Sequence, residues 1–194
     1  MSKIYFIAAF LFVSISIHAQ GTKIKWMSLT EAAKAQEKNP KKIMMDVYTN
    51  WCGPCKMLDQ NTFQNPDVVK YVNENYYAVK FNAEGNELIK YQGKEFKNPD
   101  FDPDSTGRNA QHELSQAFGI NSYPTIIFLD EKSNPIMPVI GYQTPNQLEL
   151  YLKLFYNNDH QKIETQEAWE QYQSKFEFQF TGSWSANFID VLKH

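Results

Sequence analysis

Apolar and polar positions alternate in several distinct rhythms along this chain of 194 residues. Ile4 to Ile17 is an apolar run relieved only by Ser14 and Ser16. Ser28 to Gln36 predicts a helix, with Ser28 or Thr30 as N-cap and Ala32, Ala33 and Ala35 as strong helix formers. Polar residues and Pro40 then punctuate the chain, and Ile43 to Tyr48 follows as an apolar run of strand length broken by one acid, Asp46. From Lys56 to Asn75, the positions of Met57, Leu58, Phe63, Val68, Val69 and Val72 fit a helix that breaks at Asn65-Pro66 and restarts with Asp67 in its first turn. Tyr76 to Phe81 predicts a second strand. Glu84 to Gln111 is polar, carries Pro99, Pro103 and Gly107, and shows no sustained period, so a surface insertion with at most one short helix is expected.

Order resumes with Glu113 to Phe118, the end of a helix closed by Gly119. Thr125 to Leu129 predicts a strand, Asp130 to Pro135 a turn, Ile136 to Ile140 a partner strand, and Asn146 to Tyr156 a helix with Leu148, Leu152 and Phe155 on one face. Beyond it, Thr165 to Lys175 has helical spacing, while Phe176, Phe178 and Phe180 alternate with polar residues like a half-buried strand. Strands alternating with helices imply an α/β sheet. The hairpin-length turn between the last two strands makes that sheet mixed.

The apolar content of 42% and charged content of 21% fit an ordinary globular domain with appendages. A formal net charge of −3 with no basic cluster gives no footing for nucleic acid or anionic membrane. The opening run, preceded by Lys3 and followed by His18-Ala19-Gln20, has the layout of a secretory signal, and cleavage after Ala19 is expected. An apolar run of about 14 residues falls short of the ~20 that a membrane-spanning helix needs. Residues 1–19 are therefore expected to be removed and the protein exported, most simply to a periplasm, with no membrane insertion afterwards. In such an oxidising compartment spare cysteines would pair as staples. This chain has two, Cys52 and Cys55, both within Trp51-Cys52-Gly53-Pro54-Cys55-Lys56.

A Cys-x-x-Cys motif where a strand turns into a helix suits redox chemistry. Unpaired N–H groups and the positive dipole end at the helix N-terminus favour a thiolate at the first sulfur. Cys52 is then the nucleophile, and Cys55, one turn deeper and shielded, resolves the mixed disulfide. Pro54 suits a first helical turn, where its missing N–H costs nothing. Three other uses of the motif compete. A zinc half-site would need further ligands, and beyond the signal segment only His112, His160 and His194 remain as histidines. A purely structural disulfide would close so small a loop that it would stabilise little. A haem attachment motif would need His where Lys56 stands.

Trp51 to Lys56 resembles the active-site signature of thioredoxins, and Ile43 to Phe63 as a whole is similar to exported thioredoxin-like domains such as the reducing C-terminal domain of the DsbD type. The resemblance implies a thioredoxin fold: a central mixed β-sheet flanked by helices over residues 20–157, with an insertion at about 84–112 before the cis-proline loop. It also implies roles. Asp46, six residues before Cys52, is similar to the family's buried acid, which takes the proton of the resolving cysteine; a carboxylate in an apolar run has a raised pKa that suits the task. Lys80 looks like the lysine that approaches this acid from the neighbouring strand, with Lys56 as a further supporting cation. Tyr123-Pro124 resembles the cis-proline loop and Gly141 the glycine lining the same groove. Trp51, Gly53, Pro54, Tyr123, Pro124 and Gly141 would thus contact substrate.

The implied activity is that of a thiol:disulfide oxidoreductase that reduces or relays protein disulfides, with no cofactor or metal. Its partners would be protein disulfides and an unidentified electron-donor protein, and a monomer is expected. A net oxidase or isomerase, or a non-catalytic thioredoxin scaffold, stands as the alternative. Three features depart from the family pattern: the long 84–112 segment, residues 158–194 without counterpart, and Tyr48 where Trp is common. The C-terminal aromatics, from Trp169 to Trp184, are expected to pack residues 158–194 onto the domain. Asp100, Asp102 and Asp104 alternate like a calcium loop, but Ser105 and Gln111 replace its required Gly and Glu, so a solvated acidic loop is expected.

Overall fold

The computed structural model describes residues 23–181, so the signal-like residues 1–19 and Trp184 lie outside it. In chain order the elements are β1 (Trp26–Met27), α1 (Leu29–Gln36), β2 (Lys42–Tyr48), α2 (Gly53–Met57), a π-helical turn (Leu58–Thr62), α3 (Pro66–Asn75), β3 (Tyr76–Asn82), β4 (Ile89–Tyr91) and β5 (Lys94–Phe96). They continue with α4 (Glu113–Ala117), β6 (Thr125–Leu129), β7 (Pro135–Ile140), α5 (Pro145–Tyr156), a 3-10 turn (Asp159–Lys162) and α6 (Gln166–Lys175).

Five strands form one mixed sheet in the order β1-β3-β2-β6-β7. β2 and β3 run parallel because α2 and α3 cross over between them, whereas the tight turn Asp130–Asn134 folds β7 back antiparallel on β6. β2 is the central strand, covered on both faces, which accounts for its nearly continuous apolar run. Alternation sends Met44 to one face, with Leu58, Phe63, Val68, Phe128, Leu152 and Phe155, and sends Ile43, Met45 and Val47 to the other, with Leu29, Val79, Phe81 and Leu114. Local chemistry fixes the helix ends. Ser28 and Glu31 form a capping box at α1, Thr144 and Gln147 form another at α5, and the side chain of Asn65 accepts the N–H groups of Asp67 and Val68 at the break before α3.

Several expectations need correction. The insertion is not featureless: Ile89, Tyr91 and Phe96 alternate in a hairpin, β4–β5, whose turn residues Gln92 and Gly93 take φ of 48° and 74°. Buried Ile89 and Tyr91 tie it to the core. The insertion closes at its base, where His112 N–H donates to Ala83 O at 2.8 Å. The helix after the cysteines widens into the π turn at Leu58–Thr62, which the apolar spacing did not reveal. Residues 176–181 do not form the expected strand. Their N–H groups go instead to the side chain of Glu149, fully buried on α5, which accepts Gln179 N–H at 2.8 and 3.0 Å and Phe180 N–H at 2.8 Å and pairs with Lys153 at 2.6 Å. Phe180 packs against Tyr71, and Thr181 N–H and Oγ both donate to Asp67 on α3 at 2.8 Å. Trp169 and Tyr172 of α6 also lie against the α5 side of the core.

One carboxylate thus fastens the stretch after α6 to the sheet domain. Glu149→Gln is expected to lower unfolding free energy by about 2 kcal/mol, because a buried charged acceptor of several N–H groups is lost. Amide exchange at Gln179 and Phe180 should accelerate more than exchange in β2; uniform protection in the variant would contradict this anchoring.

Candidate active site

The β2 strand carries the chain into the cysteines. Cys52 caps α2, and its Sγ accepts the N–H of Cys55 at 3.1 Å. That N–H is one of the donors left free at a helix start, so a negative charge on Cys52 Sγ meets a fixed dipole. Cys52 and Cys55 form a disulfide with an S–S distance of 2.09 Å. Both are nearly inaccessible, at 2% and 3% exposure, so in the disulfide form burial does not distinguish them as the sequence led us to expect. Gly53 and Pro54 are exposed between them, and Lys56 points to solvent on the first turns of the helix.

Asp46 is 1% exposed. The parallel register sets Lys80 of β3 directly beside it. Lys80 Nζ lies 2.9 Å from Asp46 Oδ2 in an ion pair, the direct polar contact of that carboxylate. Lys80 also binds Asp59 in the π turn and sits over the rings of Trp26, Tyr48 and Phe63 at 4.9, 5.0 and 5.5 Å. Burial dominates at Asp46 and pushes its pKa up to about 6, against the opposing pull of Lys80. Burial works against the charge on Lys80, but Asp46 and Asp59 together outweigh it and raise its pKa. Asp46 lies on the same sheet face as Met44, the face onto which Leu58 and Phe63 pack the helical segment that follows Cys55.

The Tyr123–Pro124 peptide is cis. Gly141, at φ 88°, donates its N–H to Pro124 O at 2.8 Å, which joins the two segments side by side. Trp51, 38% exposed, meets the Tyr123 ring edge-on at 6.0 Å. Thus Trp51, Tyr123, Pro124 and Gly141 form one contiguous set, linked through Trp51 to Cys52. Lys56 has no ion pair among the described residues.

Three residues of this neighbourhood escaped the sequence reasoning. Asp59 shares Lys80 with Asp46. Glu84 accepts the Trp51 Nε1–H at 2.8 Å, and the Arg108 guanidinium lies 4.3 Å from the Trp51 ring centre. A faint signal existed for the last: Arg108 is the only arginine among nineteen basic residues.

A family profile described as a thioredoxin-like domain matches residues 29–156. The thiol:disulfide interchange protein DsbD of Pectobacterium atrosepticum is 24% identical over 130 residues, which make up 66% of this chain and 19% of that protein. DsbD of Haemophilus ducreyi is 27% identical over 135 residues, again 66% of this chain and 19% of the relative. The chain therefore spans about a fifth of the length of these relatives. The thioredoxin of Borreliella burgdorferi is 26% identical over 114 residues, covering 58% of this chain and 72% of that one. Among solved structures, a thioredoxin-fold protein from Helicobacter pylori aligns with a TM-score of 0.53 at 18% identity, over 70% of this chain and 82% of the other. A thioredoxin from Thermus thermophilus gives 0.51 at 13%, over 69% and 87%. At these identities the structural likeness concerns the fold, and it is the thioredoxin fold that the sheet order describes.

The Asp46 geometry fixes a pH dependence. With a pKa raised from 3.8 to about 6, the native state keeps a proton that the unfolded chain releases in that interval. Stability from this group is therefore greatest below about pH 4, declines as pH rises, and carries the whole penalty above about pH 6. Asp46→Asn should raise unfolding free energy at pH 7.5 by about 2 kcal/mol, with the gain shrinking towards pH 4. Urea titration of the oxidised protein at both pH values checks this; equal shifts at both would contradict it.

Proposed function

The chain belongs to the thioredoxin-like family, and from that premise we propose that it is an exported thiol:disulfide oxidoreductase that reduces or relays protein disulfides. The observation that carries this reading is a Cys52–Cys55 disulfide, its first sulfur held by a helix-start N–H, in a domain that buries the carboxylate of Asp46 on the strand leading into it. Such a carboxylate costs stability, and a purely structural disulfide has no use for it.

The cycle runs from the reduced form. Cys52 thiolate attacks one sulfur of a client disulfide; the client S–S bond breaks, its second sulfur leaves as a thiolate, and a mixed disulfide joins Cys52 to the client. Asp46 takes the proton of Cys55, whose thiolate attacks Cys52 Sγ. The client's remaining thiolate departs, the Cys52–Cys55 disulfide forms, and two electrons have passed to the client. A dithiol protein restores the reduced pair, and no metal or organic cofactor enters. Lys80 and Asp59 position Asp46 and set the balance between its charged and neutral forms. The contiguous surface of Trp51, Tyr123, Pro124 and Gly141, with exposed Gly53 and Pro54, receives the client chain.

Two features support the finer reading. The apolar run from Ile4 to Ile17, with its small residue Ala19, supports export, and among the described residues no helix is long and apolar enough to cross a membrane. The Gly53-Pro54 pair and the likeness to proteins named for thiol:disulfide interchange support the reducing or relaying direction. The sheet domain at 20–157, interrupted by the 84–112 segment and followed by 158–194, acts as one monomeric unit.

Four measurements test the proposal. Cys52→Ala should abolish insulin disulfide reduction, and retention of that activity would refute the mechanism. Cys55→Ser should accumulate clients as mixed disulfides on Cys52, while wild-type resolution should slow as pH falls through about 6, where Asp46 gains its proton. N-terminal sequencing of the exported protein should begin at Gln20; a retained Met1 would refute export by cleavage.

A further inference from the structure

The insertion reaches the redox site on Tyr123, whose hydroxyl accepts the Gln111 Nε2–H at 3.4 Å, and on Trp51, through Glu84 and Arg108. Glu84 holds the indole N–H in the ring plane at 2.8 Å, while Arg108 lies over the ring face with its guanidinium carbon 4.3 Å from the centroid. Neither side chain is placed loosely. Glu84 Oε2 also accepts the N–H of Asn109 at 2.9 Å. Asn109 in turn closes on Asp102 in both directions, accepting its N–H at 2.9 Å and donating to its carbonyl at 2.7 Å. Ser105 Oγ donates to the Arg108 carbonyl at 2.9 Å. The peptide unit between Arg108 and Asn109 is therefore held at both its carbonyl and its N–H before any client arrives.

Arg108 itself is exposed, and among the described residues it has neither an ion pair nor a hydrogen bond from its guanidinium. Lysine is the other basic residue type of the chain and lies over several rings itself, so arginine at Trp51 brings what lysine lacks, a planar fork of N–H donors. A guanidinium placed over the ring with no hydrogen bond of its own among the described residues keeps its N–H groups available to a ligand. A carboxylate is the group that such a fork pairs with best.

We propose that Arg108 is a specificity-determining residue of the redox site, selecting client segments that carry a carboxylate side chain next to the disulfide. The inference rests on the oxidoreductase function proposed above. Trp51 borders Cys52, so a client chain crossing this surface brings the residues that flank its cysteine within reach of the stacked guanidinium. Glu84 is turned to the indole N–H, and among the described residues no ion pair joins it to Arg108.

Single-turnover reaction of the reduced full-length protein with synthetic peptide disulfides tests this. Three peptides identical except for Glu, Gln or Lys beside the cysteine are compared by rapid alkylation and mass spectrometry. Wild type should react about three- to fivefold faster with the Glu peptide than with the Gln peptide, and more slowly with the Lys peptide, the range an exposed ion pair supports. The preference should fade in 0.5 M salt. Arg108→Ala should lose the Glu-to-Gln ratio, Arg108→Glu should invert it, and Arg108→Lys should retain part of it. Equal wild-type rates, or a preference that survives Arg108→Ala, overturn the inference while leaving the function intact. A reduced protein that reacts with none of the peptides overturns the function as well.

Discussion

Burying a carboxylate inside a five-stranded sheet, on the strand that leads into the cysteines, sets the terms for the side chains around it. Isolated, such a group would be ruinously unstable as an anion. The parallel β2–β3 register answers by bringing Lys80 opposite Asp46, and Trp26, Tyr48 and Phe63 surround the ammonium with ring faces. The short strand β1 supplies one of those rings, and the π turn supplies Asp59 as a second anion for the same lysine. Lys80 therefore divides its charge between two acids, so Asp46 receives only part of the compensation a dedicated partner would give. Its pKa of about 6 is the outcome of that division together with burial. Such an intermediate position is what the proton transfer proposed for Asp46 calls for near neutral pH.

Much of this was readable before any coordinates. The apolar runs marked β2, β3 and β6 to within a residue, because central strands are covered on both faces and cannot hide their composition. The helix stop at Asn65-Pro66 was legible from a cap residue and a proline. Other features were invisible for physical reasons. A π turn inserts one residue into a helix without changing the kinds of residue present, so periodicity alone does not betray Leu58–Thr62. The hairpin in the insertion has strands of three residues and a Gln-Gly turn, below the length at which alternation stands out from chance. Residues 176–181 do alternate, but alternation reports only that one side is buried. It does not say whether another strand or a single glutamate will satisfy the backbone.

The active-site neighbours divide along the same line. Asp46, Lys80 and Tyr123-Pro124 stand at fixed offsets from elements that the sheet holds in place, and their pairing follows from strand register. Glu84 and Arg108 reach Trp51 from a segment whose path depends on its own hydrogen bonds, such as those between Asn109 and Asp102. No periodicity connects Trp51 to a residue more than fifty positions away. The only trace in the sequence is a choice of residue type: one arginine in a chain that otherwise uses lysine.

Two buried carboxylates show how the same group is put to opposite uses. Glu149 accepts the N–H groups of Gln179 and Phe180 and the ammonium of Lys153, so its oxygens are engaged and its place in the structure is to hold chain to chain. Asp46 is equally enclosed but has only the ammonium of Lys80, shared with Asp59, and burial pushes its pKa up to about 6. Burial alone would have treated the two alike. The partners around each carboxylate separate the two: three N–H bonds and an ammonium of its own hold Glu149, while Asp46 has one ammonium that it shares with Asp59.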